Sequence, residues 1–268
     1  MHKNLIVFDI ETVPDYETAG NLLNLKGASD SELREALTKY HLDLTDGKNS
    51  FYRQPFHKII AISFLEAEVI AEDGYFSFKV NSLRSGGNIN SSEYDLVAGF
   101  FNLISSKKPT LVSYNGRTFD MPVLKYRAMK HKITAAAFHK SGDKWNNYGS
   151  RYSLDWHCDL LEALSDFGAS SRVKLNEVCA LLSLPGKFNI DGSDVETYFN
   201  NGRLQDIRNY CEIDVANTFL VYLSYCLHTG LINKDAFEQS LASFLDTILA
   251  SSNPLLAEFA ELLGQGNF

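Results

Sequence analysis

The stretch Leu5-Ile6-Val7-Phe8-Asp9-Ile10-Glu11-Thr12-Val13-Pro14 begins with four apolar residues and continues with two acids around one isoleucine. The continuous apolar run predicts a buried strand over Leu5–Asp9, ended by Pro14. Side chains two positions apart on a strand share a face, so Asp9 and Glu11 point the same way and Ile10 points into the core. Two such close anions repel each other, and a divalent cation bound through carboxylate oxygens would offset the repulsion. The alternative is a frayed strand end with both acids in water.

The bulk composition, 45% hydrophobic and 22% charged over 268 residues, is that of an ordinary folded globule. No apolar run reaches the ~20 residues of a membrane span, and Met1–Asn4 leads directly into the first strand without a signal peptide. The cysteines lack CxxC spacing, which favours buried reduced thiols over disulfides or zinc. They are Cys158, Cys179, Cys211 and Cys226. Together these features predict a cytoplasmic protein.

The net charge of −8 argues mildly against a nucleic-acid partner, but the charges are unevenly distributed. Residues 125–187 hold ten basic and six acidic side chains, whereas the rest of the chain holds 15 basic and 27 acidic ones. One basic region on an acidic body is compatible with an anionic substrate. Scatter over a solvated surface explains the same numbers equally well.

The pattern of apolar residues predicts an α/β layered fold with a mixed sheet, because strands come first and then alternate with helices. Further strands are predicted over Ile59–Leu65, Tyr75–Val80, Thr110–Tyr114 and Leu154–Leu160, with a turn at Gly74 and a polar loop over Ser82–Ser92. Helices are predicted over Glu93–Ser105, Met121–Met129, Leu175–Leu184 and Leu204–Leu227, and one or two more over Lys234–Leu263.

A long connection, about residues 15–56, separates the first two strands and is typical of a lid or a family-specific insertion. Within it, Ser29 and Glu32 form a capping-box pattern ahead of a short amphipathic helix. The same pattern at Ser193 and Glu196 predicts another helix start. We expect a single domain over 1–268, with this insertion and a helical extension at about 228–268.

Two more acid-bearing segments follow apolar elements. Asp120, in the run SYNGRTFDMP over 113–122, lies where a helix begins, with Pro122 at a plausible first helical position. Alone, Asp120 is better explained as a helix N-cap, which is a common role for Asp. Tyr210 and Asp214 are four apart within a long helix and share one face, which suggests an inward-facing acid. A Tyr–Asp hydrogen bond inside the core is the plain alternative.

Taken jointly, DIE (9–11), NGRTFD (115–120) and YCEID (210–214) resemble the three motifs of the DnaQ-like 3′–5′ exonucleases of the ribonuclease H-like superfamily. The third motif is the Tyr-containing YxxxD form, since the His form would place a His at Asn209. The run LPGK (184–187), IDGS (190–193) and YCEIDV (210–215) is similar to predicted exonucleases related to the proofreading domain of family B DNA polymerases. The resemblance spans Lys3 to about Leu227.

The resemblance implies a five-stranded mixed sheet flanked by helices, and four carboxylates that hold two Mg²⁺ or Mn²⁺ ions. Asp9 would bridge the ions, Glu11 and Asp214 would complete the site that activates water, and Asp120 would bind the other ion through water. Ions ~4 Å apart would lower the pKa of the attacking water and stabilise the leaving 3′ oxygen. Tyr210 would orient the water, because a free Tyr has a pKa near ~10.

The substrate contacts implied by the resemblance are less specific. Thr12 would contact the terminal nucleotide, Asn115 the sugar, and Phe119 a base by stacking. Lys187, in a Pro-Gly-Lys turn, would contact a phosphate. Core packing for Phe119 and a solvated Lys187 are the alternatives. The aromatic and basic stretch over 145–156 has the composition of a single-strand platform, and equally of a hairpin packed on the body.

The resemblance therefore implies a metal-dependent 3′–5′ exonuclease that acts on single-stranded or frayed 3′ ends, foremost of DNA. The same chemistry on RNA is a close alternative, and a nucleic-acid-binding or scaffold protein with weak chemistry is a second class. The C-terminal helices carry an apolar face that either packs on the core or binds a protein partner. Its residues are Phe237, Leu241, Phe244, Leu245, Ile248 and Leu249.

Overall fold

The computed structural model of the protein describes residues 1–72, 74–188, 192–266 and 268. Its strands are β1 (Asn4–Pro14), β2 (His57–Glu72), β3 (Tyr75–Ser85), β4 (Thr110–Ser113) and β5 (His157–Asp159). Its helices are α1 (Tyr16–Leu23), α2 (Asp30–Leu44), α3 (Glu93–Lys107), α4 (Asp120–Lys130), α5 (Ala136–His139), α6 (Leu160–Leu164), α7 (Leu175–Leu181), α8 (Val195–Asn200), α9 (Leu204–His228), α10 (Lys234–Leu249) and α11 (Pro254–Gln265).

The strands form one mixed sheet in the order β3-β2-β1-β4-β5. β1 pairs antiparallel with β2, and β2 with β3, while β4 runs parallel to both β1 and β5. The predicted five-stranded mixed sheet with flanking helices is thereby confirmed. β1 lies at its centre, so whatever β1 carries is held by a neighbour on each side.

Both faces of the sheet are covered, as the alternation along β1 requires. Leu5 and Val7 pack on the face that carries α9, α10 and α11. Ile6, Phe8 and Ile10 pack on the opposite face against α3 and α4. The prediction that Ile10 points into the core is confirmed, since only 4% of its surface is exposed.

Several predicted boundaries were wrong. β1 continues through both acids to Pro14 instead of stopping at Asp9, because the hydrogen-bond ladder with β2 persists there. β3 runs on to Ser85, so the loop predicted from Ser82 begins later. β5 covers only His157–Asp159 of the strand predicted over Leu154–Leu160, and helix α6 follows at once.

A C-terminal helix, α10, covers the edge strand β3 of the sheet. Ser240 and Ser243 of α10 accept hydrogen bonds from the backbone of Phe78 and Val80 at 2.9 Å each, which satisfies the outer edge of β3. Phe244 and Ile248 are buried, whereas Leu249 is exposed. The apolar face of this region therefore packs chiefly on the protein's own core.

The insertion between β1 and β2 contains α1 and α2. The capping box predicted at Ser29 and Glu32 is present. The one predicted at Ser193 is wrong: α8 begins at Val195, and the Glu196 carboxylate instead binds Arg34 and the Tyr16 hydroxyl, both from the insertion.

A buried ion cluster ties the start of the insertion to α3 and α4. The Arg127 guanidinium donates to the carboxylates of Asp15 and Glu93, which are 3% and 9% exposed. Lys130 donates to Asp15 at 2.8 Å, and His131 lies 2.7 Å from Glu93. Each acid thus meets basic partners, as buried charges require.

The four cysteines are buried and free, as predicted. Among the described residues, no helix has the length and apolarity needed to cross a bilayer. The assignment of all 268 residues to one domain stays a prediction.

Candidate active site

β1 carries the first two acids of the site. Asp9 and Glu11 lie opposite Ser63 and Ala61 of β2, and the register shifts just after Glu11. Such a bulge re-aims the following side chains and is common beside functional sites. Glu11 is 9% exposed, so the alternative of a frayed strand with solvated acids is excluded.

Asp120 reaches β1 from the first turn of α4. Its Oδ1 accepts a hydrogen bond of 3.2 Å from the Ile10 amide, and its carboxyl group also hydrogen-bonds that of Asp9. The N-cap of α4 is Phe119, so the N-cap alternative for Asp120 is wrong, and Pro122 is the third helical residue.

The loop before α4 is positioned by Asp159, at the end of β5. Its carboxylate accepts the backbone amides of Asn115 and Arg117 at 2.9 and 2.7 Å. Asn115 adopts a left-handed backbone (φ 67°), and a Cβ on Gly116 would lie 2.5 Å from Ser113 Oγ. The Asn-Gly pair of this motif is therefore required by the turn itself.

Helix α9 closes the site from the face of β1 that carries the acids. Asp214 is 8% exposed and adds a fourth carboxylate. Cys211 Sγ donates to Asp9 Oδ2 at 3.6 Å across 202 residues of sequence. We call Asp9, Glu11, Asp120 and Asp214 the acidic cluster. The structure thus brings all four sequence-predicted carboxylates together.

The electrostatics of the acidic cluster are unusual. Burial and the charges of Asp120, Glu11 and Asp214 raise the pKa of Asp9 well above 3.8. Burial and the charge of Asp159 raise the pKa of Asp120 to about 7, against the hydrogen bonds that its carboxylate accepts. Within the described part of the chain, neither Asp9 nor Asp120 has a Lys or Arg at ion-pair distance. A cluster of this kind needs protons or bound cations.

Tyr210 and Lys187 form a hydrogen-bonded network at the edge of the acidic cluster. Lys187 Nζ donates to the Tyr210 hydroxyl at 2.7 Å and lies 3.8 Å from Asp214 Oδ2. The Tyr210 hydroxyl also hydrogen-bonds Asp214. Burial and the charge of Asp214 raise the pKa of Tyr210 above 10. Tyr210 therefore keeps its proton at neutral pH.

The turn that carries Lys187 is held by α9. Asn217, fully buried, exchanges two hydrogen bonds with the backbone of Gly186, at 3.2 and 2.8 Å. Asn217 was not predicted as a site residue, although an amide three residues after Asp214 on a buried helix was a usable signal. Ile190 and Asp191, also part of the resemblance, lie outside the described residues.

The donor set fits a hard divalent cation. Ligand atoms of Asp9, Glu11 and Cys211 all lie within 4.8 Å of one another. Carboxylate oxygens suit Mg²⁺ and Mn²⁺. Burial and the charge of Asp9 raise the pKa of Cys211 well above 9, so its sulfur stays a thiol. Cys211 was predicted only to be a buried thiol, because no local sequence pattern indicates that it lies beside Asp9.

A cleft of about 550 Å³ opens beside Glu11, which is ample for a small ligand. Thr12 lines it and hydrogen-bonds His57 at 2.9 Å. Phe119 also lines it, edge-on to His57 with ring centroids 4.8 Å apart. Phe51, from the insertion, is 61% exposed at the cleft, and its ring centroid lies 5.7 Å from that of Phe119. Phe119 thus both packs on the core and faces the cleft.

Asn115 and the aromatic stretch over 145–156 were also predicted to contact the substrate. The Asn115 side chain accepts a hydrogen bond from Thr118 beside the cluster. In the aromatic stretch over 145–156, Tyr148 is buried and Trp156 packs edge-on to it, so this part packs on the body as the alternative predicts, but it forms turns and not a hairpin. Trp145 and Tyr152 are more than two thirds exposed, as a platform requires.

Comparison with known proteins places the chain in a family. Residues 49–263 match the family model described as a predicted 3′–5′ exonuclease related to the exonuclease domain of PolB. The chain belongs to this family. The resemblance noted from the three motifs is thereby confirmed. The search of curated proteins found no match.

Among solved structures, the chain is similar to the family B DNA polymerase from the hyperthermophilic archaeon Pyrobaculum calidifontis. The identity is 18% and the TM-score 0.49, and the similarity covers 93% of this chain and 29% of the polymerase.

The family match is informative about the site because it includes Asp120, Tyr210 and Asp214 but begins after β1. Asp9, Glu11 and helices α1 and α2 therefore lie outside the matched range. The fold itself joins β1 to the matched part by seating it between β2 and β4.

Proposed function

We propose that the chain is a 3′–5′ exonuclease that removes nucleotides from single-stranded or frayed 3′ ends of DNA with two divalent ions, Mg²⁺ or Mn²⁺. The convergence of Asp9, Glu11, Asp120 and Asp214 carries the proposal, because four carboxyl groups buried together favour a bound divalent cation. Membership in the exonuclease family gives the reaction class.

The chain's own residues would hold both the ions and the water. The acidic cluster is the ligand set, and ions bound there would stabilise the developing phosphate charge and lower the pKa of water. A Tyr hydroxyl has one donor and two acceptor positions. Asp214 takes the donor of Tyr210 and Lys187 one acceptor, which leaves one acceptor to orient the attacking water. Tyr210 therefore acts by orientation and not as a base.

Substrate binding would use the cleft beside Glu11. Thr12 and Phe119 line the cleft, and Asn115 lies next to Asp120 in the same motif. The exposed face of Phe51 offers a further stacking surface. Lys187, 27% exposed at its side chain, is placed to contact the phosphate beside Tyr210. DNA is the proposed substrate because the family is related to the exonuclease domain of PolB.

The test is digestion of a 5′-labelled oligonucleotide with Mg²⁺ or Mn²⁺. We expect a ladder that shortens from the 3′ end and is absent for Asp9→Ala. Matched DNA and RNA, single- and double-stranded, would be compared in the same assay. Equal digestion by Asp9→Ala would refute the proposal. Faster digestion of RNA than of DNA would identify RNA as the preferred substrate.

Metal binding is tested separately by calorimetry with Mn²⁺. Wild type should bind the ion and Asp9→Asn should bind it far more weakly. No heat of binding to a folded wild-type protein would argue for a nucleic-acid-binding or scaffold role.

A further inference from the structure

A basic pocket of about 400 Å³ adjoins the loop before α4, which we call the motif loop and which contributes Arg117 and Thr118 to the lining. It is lined by α4, β5, α6 and the loops around residues 148 and 172. Its basic side chains are Arg117, Lys125, Arg151 and Arg172. Three of these four belong to the basic region over 125–187. Its charge count alone did not distinguish a binding site for an anionic substrate from charges scattered over the surface.

The charges in the basic pocket are only partly balanced. Glu162, 2% exposed, is the carboxylate of the lining, and it pairs with both Arg151 and Arg172. In the described residues, neither Arg117 nor Lys125 has a carboxylate at ion-pair distance. Four cations around one carboxylate leave an excess of positive charge.

Arg117 and Lys125 are held in place by other contacts. The Arg117 guanidinium donates to the carbonyl oxygen of His157 at 2.8 Å. The Lys125 ammonium lies over the ring of Phe138, 5.4 Å from its centroid. Burial and the charge of Arg117 lower the pKa of Lys125. The negative charge of Asp159 also acts on Arg117 and offsets part of the positive charge. A bound anion would still reduce the remaining repulsion between the basic side chains of the pocket.

The basic pocket is within reach of a strand whose 3′ end lies in the site. Arg117 precedes Asp120 by three residues, so their Cα atoms are at most ~11 Å apart. Beside the pocket, Tyr152 is 70% exposed, and the Arg151 guanidinium lies 5.8 Å from its ring centroid. An exposed ring next to cations is what single-strand binding uses, with stacking of bases between phosphate contacts.

The geometry points to the basic pocket as a second phosphate site, which binds backbone phosphates of the substrate strand upstream of the terminal nucleotide. This inference rests on the proposed exonuclease function. It assigns the pocket to strand binding and leaves the terminal nucleotide to the acidic cluster and its cleft.

The test separates strand binding from the reaction itself. Two substrates are compared: the p-nitrophenyl ester of thymidine 5′-monophosphate, which has no upstream phosphate, and a 20-nucleotide single strand. Lys125→Gln and the double variant Lys125→Gln/Arg172→Gln are measured on both. Lys79→Gln is the matched control, because Lys79 is exposed on β3 at the opposite edge of the sheet.

We expect the pocket variants to raise KM for the single strand by about 5–10-fold per lost contact at low salt. The slope of log KM against log salt should fall by ~0.7 per contact. For the nitrophenyl ester, kcat/KM should stay within about two-fold of wild type, and Lys79→Gln should match wild type on both substrates.

Two results would overturn the inference. In one, the pocket variants digest the strand with the wild-type KM and salt slope. In the other, they lose binding of inorganic phosphate by calorimetry but handle the strand as wild type does, which makes the pocket a free-anion site. Failure of wild type on both substrates would instead refute the exonuclease proposal.

Discussion

The protein buries two groups of acids, the ion cluster and the acidic cluster, which differ in how closely basic side chains surround their carboxylates. In the ion cluster, Asp15 and Glu93 meet Arg127 and further basic partners. Burial alone would raise the pKa of Asp15, but hydrogen bonds from Lys130 and Arg127 outweigh it and hold the pKa below 3.8. In the acidic cluster the same burial raises the pKa of Asp9 and Asp120.

The difference separates a structural role from a chemical one. A buried acid with matched cations is complete within the fold and holds elements together. An acid with no Lys or Arg at ion-pair distance, which among the described residues is true of Asp9 and Asp120, remains able to bind a cation from solution. The ion cluster therefore fastens the insertion to α3 and α4, whereas the acidic cluster has the composition of a ligand set for a divalent cation.

The largest effect is expected from removing one charge from each group. Asp9→Asn should lower exonuclease activity by about 10³-fold or more, because it removes a ligand of the proposed ions. Its thermal stability in EDTA should equal or exceed that of wild type, since repulsion falls. Glu93→Gln is the matched control and should do the reverse: stability falls and the folded protein stays active. Wild-type activity in Asp9→Asn would show that the charge of Asp9 is not needed for the reaction.

The next effect concerns the cation of the ion cluster. Arg127→Met should lower the free energy of unfolding by about 3–5 kcal/mol, because two buried carboxylates lose their shared partner. Urea unfolding measures this. Arg203→Met, which breaks an exposed pair with Asp206, should change the free energy of unfolding far less, because solvent screens that pair. Equal costs for the two variants would mean that the ion cluster is not structural.

The pH dependence of stability should have opposite signs in the two groups. The pKa of Asp120 is about 7 when folded and 3.8 ordinarily, so the folded state binds more protons between these values. In EDTA its contribution to stability should therefore fall from pH 4 to 7. The pKa of Asp15 is lowered, so its contribution is lost only as the pH falls below 3.8.

Buried histidines oppose the first trend, because burial lowers the pKa of His157 well below 6.5. The measurement is therefore the melting temperature of wild type minus that of Asp120→Asn, in EDTA, across pH 4.5–8. We expect this difference to fall by several degrees as the pH rises, and Mn²⁺ to reverse the fall at pH 8. A flat difference would show that Asp120 carries no such penalty.

The smallest effect links the two groups through the insertion, which starts at the ion cluster and ends beside the acidic cluster. Phe51→Ala should raise KM for a single strand by about 5-fold, from the loss of one stacking surface. Its stability should be unchanged because the ring is 61% exposed. Leu22→Ala, at an exposed position of α1, should leave KM unchanged. An unchanged KM for Phe51→Ala would exclude Phe51 from substrate binding.

Much of the site was predictable because its signals are local. The pairing of Asp9 with Glu11 on one face follows from the two-residue period of a strand, and that of Tyr210 with Asp214 from the helical turn. The motif loop was recognisable because Asn-Gly and Asp recur at fixed positions in the resembling family. The helix boundaries from 93 to 130 were right to within two residues.

Other features were not predictable, because they depend on contacts distant in sequence. Cys211 lies beside Asp9 only because α9 packs across β1. Ser193 failed as a cap because Glu196 is bound by Arg34, 162 residues earlier. Glu93, Arg127 and His131 form one ion cluster only because α3 and α4 pack against each other.

The sequence by itself determined which acids share a face, that the cysteines are buried thiols, and which family the motifs resemble. These properties follow from backbone periodicity and composition, which each segment carries alone. The tertiary structure decided which buried acids lie at ion-pair distance from a Lys or Arg: Asp15 and Glu93 do, whereas Asp9 and Asp120, among the described residues, do not. Coulomb interactions depend on distance and burial, and only the folded chain fixes both.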